Sequence, residues 1–289
     1  MNTRNINTSL AGSPFSIKMN DSTFMKFSKF IKEELGIKMP LEKKIMIESR
    51  LQKRLKALSM QSFEEYYDHV FSTSGKETEL IHMMDIVTTN KTDFFREPAH
   101  FDFMQEVVIP EYSEKFGNRN IKVWSAGCSS GEEVYTIGII LNEAIEHNQL
   151  SDFQIHGTDI SVDILQKASD AVYQFSRVET IPKSVLQKYF LKHKDPSKNV
   201  VKVVPHLRKR ASFQRLNFMD DYYNVNETFD IVFCRNVLIY FDRETQEKVI
   251  SKLSSKLRTG GYFFIGHSES LSGFDVPLQN IKPTIFRKI

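Results

Sequence analysis

The sequence predicts an α/β chain in which a small all-helical N-terminal domain precedes a mostly parallel sheet. Two observations carry this. Residues 21 to about 88 place apolar side chains at three- and four-residue steps, the period of amphipathic helices. From about residue 99 onward, short apolar runs that end in polar residues alternate with helical stretches, the pattern of strands joined by crossover helices.

The first stretch, MNTRNINTSLAGSPFS, is polar, lacks the compact apolar core of a signal peptide and reads with residues up to 20 as a mobile tail. Asp21 is placed to cap a helix whose apolar side is Phe24, Phe27, Phe30 and Ile31, and Gly36 to end it. Pro40 opens a second helix through about Leu58, with Leu41, Ile45, Leu51, Leu55 and Leu58 on one side. Its other side is basic: Lys43, Lys44, Arg50, Lys53, Arg54 and Lys56 meet only Glu42 and Glu48. Ser62 with Phe63 to Phe71 suggests a third helix, and Lys76 to Thr88 a fourth. Residues 89–98 form the linker into the larger domain, 99–289.

In that domain IKVWSA (121–126), FQIHGT (153–158), FDIVFCR (229–235) and YFFIGH (262–267) read as strands. Helices are expected most clearly at 132–147, 161–172 and 243–257. Between about 183 and 216 the rhythm is interrupted: NVVKVV and ASFQRL, separated by the basic turn PHLRKR, read as an inserted antiparallel β-hairpin.

Composition narrows the function. No apolar run approaches the ~20 residues of a membrane helix, and a cytoplasmic location is expected. Two cysteines, Cys128 and Cys234, make neither a disulfide framework nor a four-thiolate metal site. The net charge of +3 lacks the concentrated basicity of a dedicated nucleic-acid binder. No long exposed apolar stripe is evident, so a monomer is expected.

Ligands of open α/β sheets bind beyond the carboxyl ends of the strands, and the chemistry-bearing residues gather there. In SAGCSSGEE, Gly127 and Gly131 make a strand-to-helix turn of the kind that holds phosphates at a helix N-terminus. Glu132 and Glu133 would repel phosphate; if one points at the ligand, that ligand carries an ammonium or sulfonium, and if both face solvent they are ordinary first-turn residues. Asp159, 28 residues after Gly131, is placed either to accept both hydroxyls of a ribose or to cap the helix near Ser161. Asn217 and Asn236 follow strand-like runs, where an amide serves an adenine edge, a carboxylate or simply a turn. His267 ends a strand and is expected to have a structural hydrogen-bonding role, and the other histidines show no metal spacing.

TTNKTDFFRE, SAGCSSGEEVYTIG, GTDIS, FDIVFCRNVLIYF and GGYFFIGHSES, in this order and at these spacings, resemble the chemotaxis protein methyltransferases, the CheR family. The resemblance covers about residue 85 to the C-terminus closely and the preceding helices more loosely. It implies a class I methyltransferase with a doubly wound sheet, S-adenosylmethionine as cofactor, S-adenosylhomocysteine as product, and glutamate carboxylates of chemoreceptors as methyl acceptors. The family's cofactor contacts fall here on Asn90, Thr92, Arg96, Glu133, Asp159, Asn217 with Phe218, and Asn236 with Val237. Its residues near the transferred methyl fall on Arg96 and Tyr240; by themselves these would be a surface arginine and a sheet-end aromatic.

The resemblance also implies contact between the basic second helix (Lys43, Lys44, Arg50, Lys53, Arg54) and acidic receptor helices. Some members bind a receptor's C-terminal peptide through the inserted hairpin, whose loop holds glycines. The matching stretch here, LKHKDPSKNVVKV, has none, which leaves that tether open. Rival readings fit less well. An NAD oxidoreductase conflicts with the two glutamates and with the absence of a three-glycine fingerprint, and a nucleic-acid methyltransferase with RNVLIY in place of an Asn- or Asp-Pro-Pro-aromatic motif. A receptor-binding or cofactor-sensing protein without turnover would be favoured by loss of any one of Arg96, Glu133, Asp159 or Tyr240, and all four are intact.

Overall fold

The structure, a computed structural model, describes residues 17–289 apart from 118. The expected N-terminal tail lies outside the described residues as far as residue 16. The chain forms two compact units, one of Met39–Val87 with the segment up to Phe30, the other of Ile31–Lys38 and Thr88–Ile289.

The first unit is helical. Helix α1 (Asp21–Leu35) begins under Asn20, whose Oδ1 accepts the Thr23 N–H at 2.7 Å. Asn20, not Asp21, is therefore the cap, because the helix starts one residue earlier than a cap at Asp21 requires. Met19 just before it is already buried, and its N–H donates to Glu48. After a 3₁₀ turn at Leu41–Lys43 comes α2 (Lys44–Ala57). That turn shifts the phase of the pattern: Leu41 and Ile45 are 51% and 74% exposed, and Ile47 joins Leu51 and Leu55 in the core. Helix α3 (Phe63–Val70) is capped by Ser62 as expected. The expected fourth helix is two, α4 (Thr73–Glu77) and α5 (Glu79–Val87). Ser72 sets the early start of α4 by accepting the Gly75 N–H, and glycine at 75 lets the turn approach the His69 carbonyl, which a Cβ would meet at 1.8 Å.

Three of the basic residues of α2 are engaged inside this unit. Arg54 grips Glu79 with two hydrogen bonds of 2.8 and 2.6 Å, and Tyr66 donates to the same carboxylate. Arg50 donates to the Val87 carbonyl and Lys44 to Asp21. Lys53 and Lys56 are exposed.

The second unit opens with α6 (Ala99–Phe103), which runs through a π turn (Met104–Val108) into α7 (Ile109–Phe116). Pro110, with no N–H to give, accounts for the looser turn. Then follow β1 (Ile121–Ala126), α8 (Glu132–Glu146), β2 (Phe153–Asp159), α9 (Val162–Asp170) and β3 (Val172–Gln174). Next come α10 (Lys183–Tyr189), β4 (Phe190–Lys192), β5 (Val200–Val203), α11 (Pro205–Arg208) and β6 (Ala211–Arg215). The chain closes with β7 (Phe229–Cys234), α12 (Arg243–Ser255), β8 (Leu257–Ile265), β9 (Leu278–Lys282) and β10 (Ile285–Lys288).

The main sheet has the order β6-β2-β1-β7-β8-β10-β9. Its first five strands are parallel, and β10 and β9 add antiparallel pairing at one edge. All six residues of β7 are buried, as a central strand covered on both faces requires. This is the doubly wound, mostly parallel sheet that the resemblance implies.

The insertion differs from the expected hairpin. NVVKVV supplies β5, the middle strand of a separate antiparallel sheet of order β3-β5-β4, whereas ASFQR is β6 and pairs in parallel with β2. The intervening PHLR forms a helical turn with proline at its start, which is incompatible with a tight hairpin connection. In the β4–β5 loop the positive φ, 40°, falls on Asn199, a residue type that tolerates it, so the lack of glycine does not bar the turn.

Candidate active site

At the carboxyl ends of β1, β2, β6 and β7 a cavity of about 220 Å³ opens. Every residue singled out above for cofactor or methyl lines it: Asn90, Thr92 and Arg96 from the linker, Glu133, Asp159, Asn217, Phe218, Asn236, Val237 and Tyr240.

The floor is the turn after β1. Gly127 and Cys128 both donate N–H to the Thr158 carbonyl, at 2.7 and 2.9 Å, which ties the turn to β2. Gly127 has φ 80° and Gly131 φ 91°, conformations that favour glycine. From Gly131 the chain enters α8, and its first two residues diverge. Glu132 is buried away from the cavity, where Arg177 reaches it at 2.7 Å while also pairing with Asp93. Glu133 faces the cavity, accepts the Ser125 hydroxyl at 2.7 Å and lies 3.3 Å from Arg235 Nη1. Burial pushes its carboxyl above the usual range, against the pull of Arg235 and Ser125. One of the two glutamates therefore presents a negative group to the ligand space.

Asp159 does not cap the helix after β2, and its carboxylate braces the loop beside the cavity. Its oxygens accept N–H groups from Ser129 at 2.9 Å and Ser161 at 3.1 Å, and the carboxylate still lines the cavity. The cap of α9 is Ser161 itself. Ser129 binds the linker as well, its hydroxyl donating to the Asn90 carbonyl. Asn217 commits its amide locally, donating to the Glu34 carbonyl and accepting from Met219 N–H, so what it offers the cavity is reduced.

Family models match nearly the whole described chain: that for the CheR methyltransferase SAM-binding domain over residues 90–286, and that for the CheR all-alpha domain over 22–88. The chain belongs to the CheR methyltransferase family. It is similar to the chemotaxis protein methyltransferase of Borreliella burgdorferi, with 37% identity over 277 residues covering 94% of this chain and 96% of that one. Its Salmonella typhimurium counterpart is 33% identical over 256 residues, covering 89% and 86%. The Escherichia coli protein is 30% identical, covering 89% and 87%. This CheR chain is accordingly an S-adenosylmethionine-dependent methyltransferase.

Three residues of the CheR site were not singled out from the sequence. Arg235, the first residue after β7, has a buried side chain that donates to Glu97 and to the Arg96 carbonyl. Glu97, at φ 58°, also accepts from Asn236 Nδ2 at 3.1 Å. Glu269 lies under the turn that carries Asn236, Val237 and Tyr240, accepting N–H groups of Gly266, Asn236 and Leu238. That support holds Asn236 at φ 59°. A charged residue inside an apolar run, as in VFCRN, was the available signal; its partners, distant in sequence, carried none. His267 is exposed, and its N–H lies 3.4 Å from Glu97. His100 is buried beside it, and burial holds its ring down to about 4, hence neutral.

Proposed function

We propose that this CheR methyltransferase esterifies glutamate side chains of chemoreceptors, the chemistry of sensory adaptation, from the cytoplasmic side of the membrane. The observation that carries the reading is Glu133 alone of its pair turned into a cavity that also holds Asp159. The donor set suits the cofactor: a carboxylate for an ammonium, a second for ribose hydroxyls, and Phe218 and Val237 as apolar wall for a base. Bound S-adenosylmethionine supplies a methyl group on a sulfonium. Asn90, Thr92, Asn217 and Asn236 complete the polar lining.

The acceptor carboxylate is ionised at neutral pH, so the site needs no general base. What remains for the chain is orientation. Arg96, whose Nη1 donates to the Lys91 carbonyl, keeps the rest of its planar fork for a carboxylate, and the Tyr240 hydroxyl serves as a donor near it. His267 has no proton to move in this scheme. Receptor docking is assigned to the exposed cations of α2, Lys53 and Lys56 foremost, since Arg54, Arg50 and Lys44 hold the first unit together. No helix among the described residues is long and apolar enough to cross a membrane, so the receptor brings the membrane.

The test is transfer of tritiated methyl from S-adenosylmethionine to receptor-containing membranes, followed by alkali. Label released as methanol establishes a carboxyl ester; alkali-stable label, or none with bound cofactor, overturns the assignment of the acceptor.

A further inference from the structure

The carboxylate facing the cavity shares its counter-ion with one that does not. Arg235 and Glu97 have side chains 2% and 11% exposed, and that of Glu133 is 14% exposed. Arg235 meets Glu97 Oε2 with Nη2 at 3.1 Å and Nε at 3.3 Å, and Glu133 Oε2 with Nη1 at 3.3 Å. One guanidinium thus stands between two carboxylates and gives two of its nitrogens to the one outside the cavity lining. Asn236 Nδ2 and the His267 N–H add to Glu97. These contacts, with the charge of Arg235, hold the Glu97 carboxyl below the usual range even though burial opposes it.

We infer that Glu97 is a positioning residue that engages Arg235 and so leaves Glu133 with uncompensated negative charge for the ammonium at the amino-acid end of the cofactor. Without Glu97, Arg235 would be free to neutralise Glu133 fully, and a buried ion pair has little attraction left for a third charge. Arg96 also acts on Glu133, but with Nη1 held by the Lys91 carbonyl the rest of its guanidinium is assigned above to the acceptor carboxylate, which takes up its charge. His100 beside Glu97 is neutral and adds no charge. Glu97, His100 and His267 do bring ligand-type atoms within 4.8 Å of one another. The guanidinium on the same Glu97 oxygen repels a dication, so the group is a hydrogen-bonded knot and not a metal centre. Glu97 touches no ligand and acts through Arg235.

The inference rests on the proposed role of Glu133, and the experiment separates the two. The full chain is titrated calorimetrically with S-adenosylhomocysteine and with 5′-methylthioadenosine, which lacks the amino-acid end. Wild type should favour the former; equal affinities would remove the role of Glu133 itself. Given that preference, Glu97→Gln should weaken S-adenosylhomocysteine roughly tenfold, the factor that 1.4 kcal/mol represents, and leave methylthioadenosine within about twofold. Equal weakening of both ligands, or of neither, overturns the inference. If Glu97→Gln does not fold, Glu97→Asp decides: with the charge kept, the wild-type ratio should persist, and its collapse would make shape and not charge the role of Glu97.

Discussion

Gly127 and Val237 stand so close that a Cβ added to the glycine would lie 2.6 Å from Val237 Cγ2, at a φ of 80°. The turn after β1 and the turn after β7 therefore close the same wall of the cavity from two sides. Gly127→Ala should cost ~1–3 kcal/mol in strain and crowding and weaken cofactor binding. Thermal unfolding and calorimetry read the two effects. Wild-type cofactor affinity in this variant would place the cavity wall elsewhere.

Glu133 gives the site a pH dependence. Its carboxyl titrates above the usual range because it is buried. A cationic ligand binds the ionised form, so affinity should hold at neutral pH and decline as pH falls through that raised value, earlier than an ordinary carboxylate would allow. Glu133→Gln should bind more weakly, by about tenfold or more, with a flatter profile over the same interval. Calorimetry of S-adenosylhomocysteine across the acid range checks both, and parallel profiles would clear Glu133 of the effect.

Tyr240 lines the cavity on a 3₁₀ turn, its carbonyl accepting the Lys38 N–H. Removing only the hydroxyl, Tyr240→Phe should lower kcat about tenfold or more while cofactor affinity stays near wild type. A variant that loses affinity and keeps kcat would assign the hydroxyl to binding.

Docking is tested away from the cavity. The double change Lys53→Glu and Lys56→Glu should raise KM for receptor membranes severalfold and flatten its salt dependence. Cofactor affinity should be untouched. Unaltered KM would make these lysines ordinary solvated surface.

A stability prediction concerns Glu111 of α7, which joins that helix to β8 and β10. Burial opposes its ionisation, but hydrogen bonds from Lys115, Tyr262 and Arg287 outweigh this and hold the carboxyl at about 2. A folded-state value below the unfolded one stabilises the fold above the unfolded value of about 4.3. That contribution is lost as pH falls toward 2. Glu111→Gln should therefore cost ~1–3 kcal/mol at neutral pH, and the gap to wild type should narrow below about pH 4. Denaturant titrations at both pH values measure it; a constant gap would point to packing instead of charge.

What the sequence made legible is what lies close together along it. β1, the glycine turn, Glu133 and Asp159 follow from apolar runs that end in polar residues, because strand and ligand group sit within a few positions of each other. Glu97 and Arg235 are 138 residues apart and meet only through the sheet, so neither carried a local sign of the other. Leu41 and Ile45 fitted the helical period yet lie exposed, because the 3₁₀ turn between Leu41 and Lys43 resets the phase that periodicity assumes. β9 reads LQNIK and is almost wholly solvent-facing, so no apolar run announced it. The first half of β8 was hidden by Gly260 and Gly261.

The three-stranded sheet sits within a single crossover, between α9 and β6, and both strands that flank this detour belong to the main sheet or lead straight into it. A segment spliced into a crossover is exchangeable in principle: its length and outer face can drift without altering the register of β2 against β6. One thread limits that freedom. Tyr173 of β3 donates its hydroxyl to the Ser130 carbonyl in the glycine turn and packs edge-on against Phe94 of the linker. A transplanted module would have to bring its own tyrosine at that point, or the turn that leads into Glu133 would lose a brace.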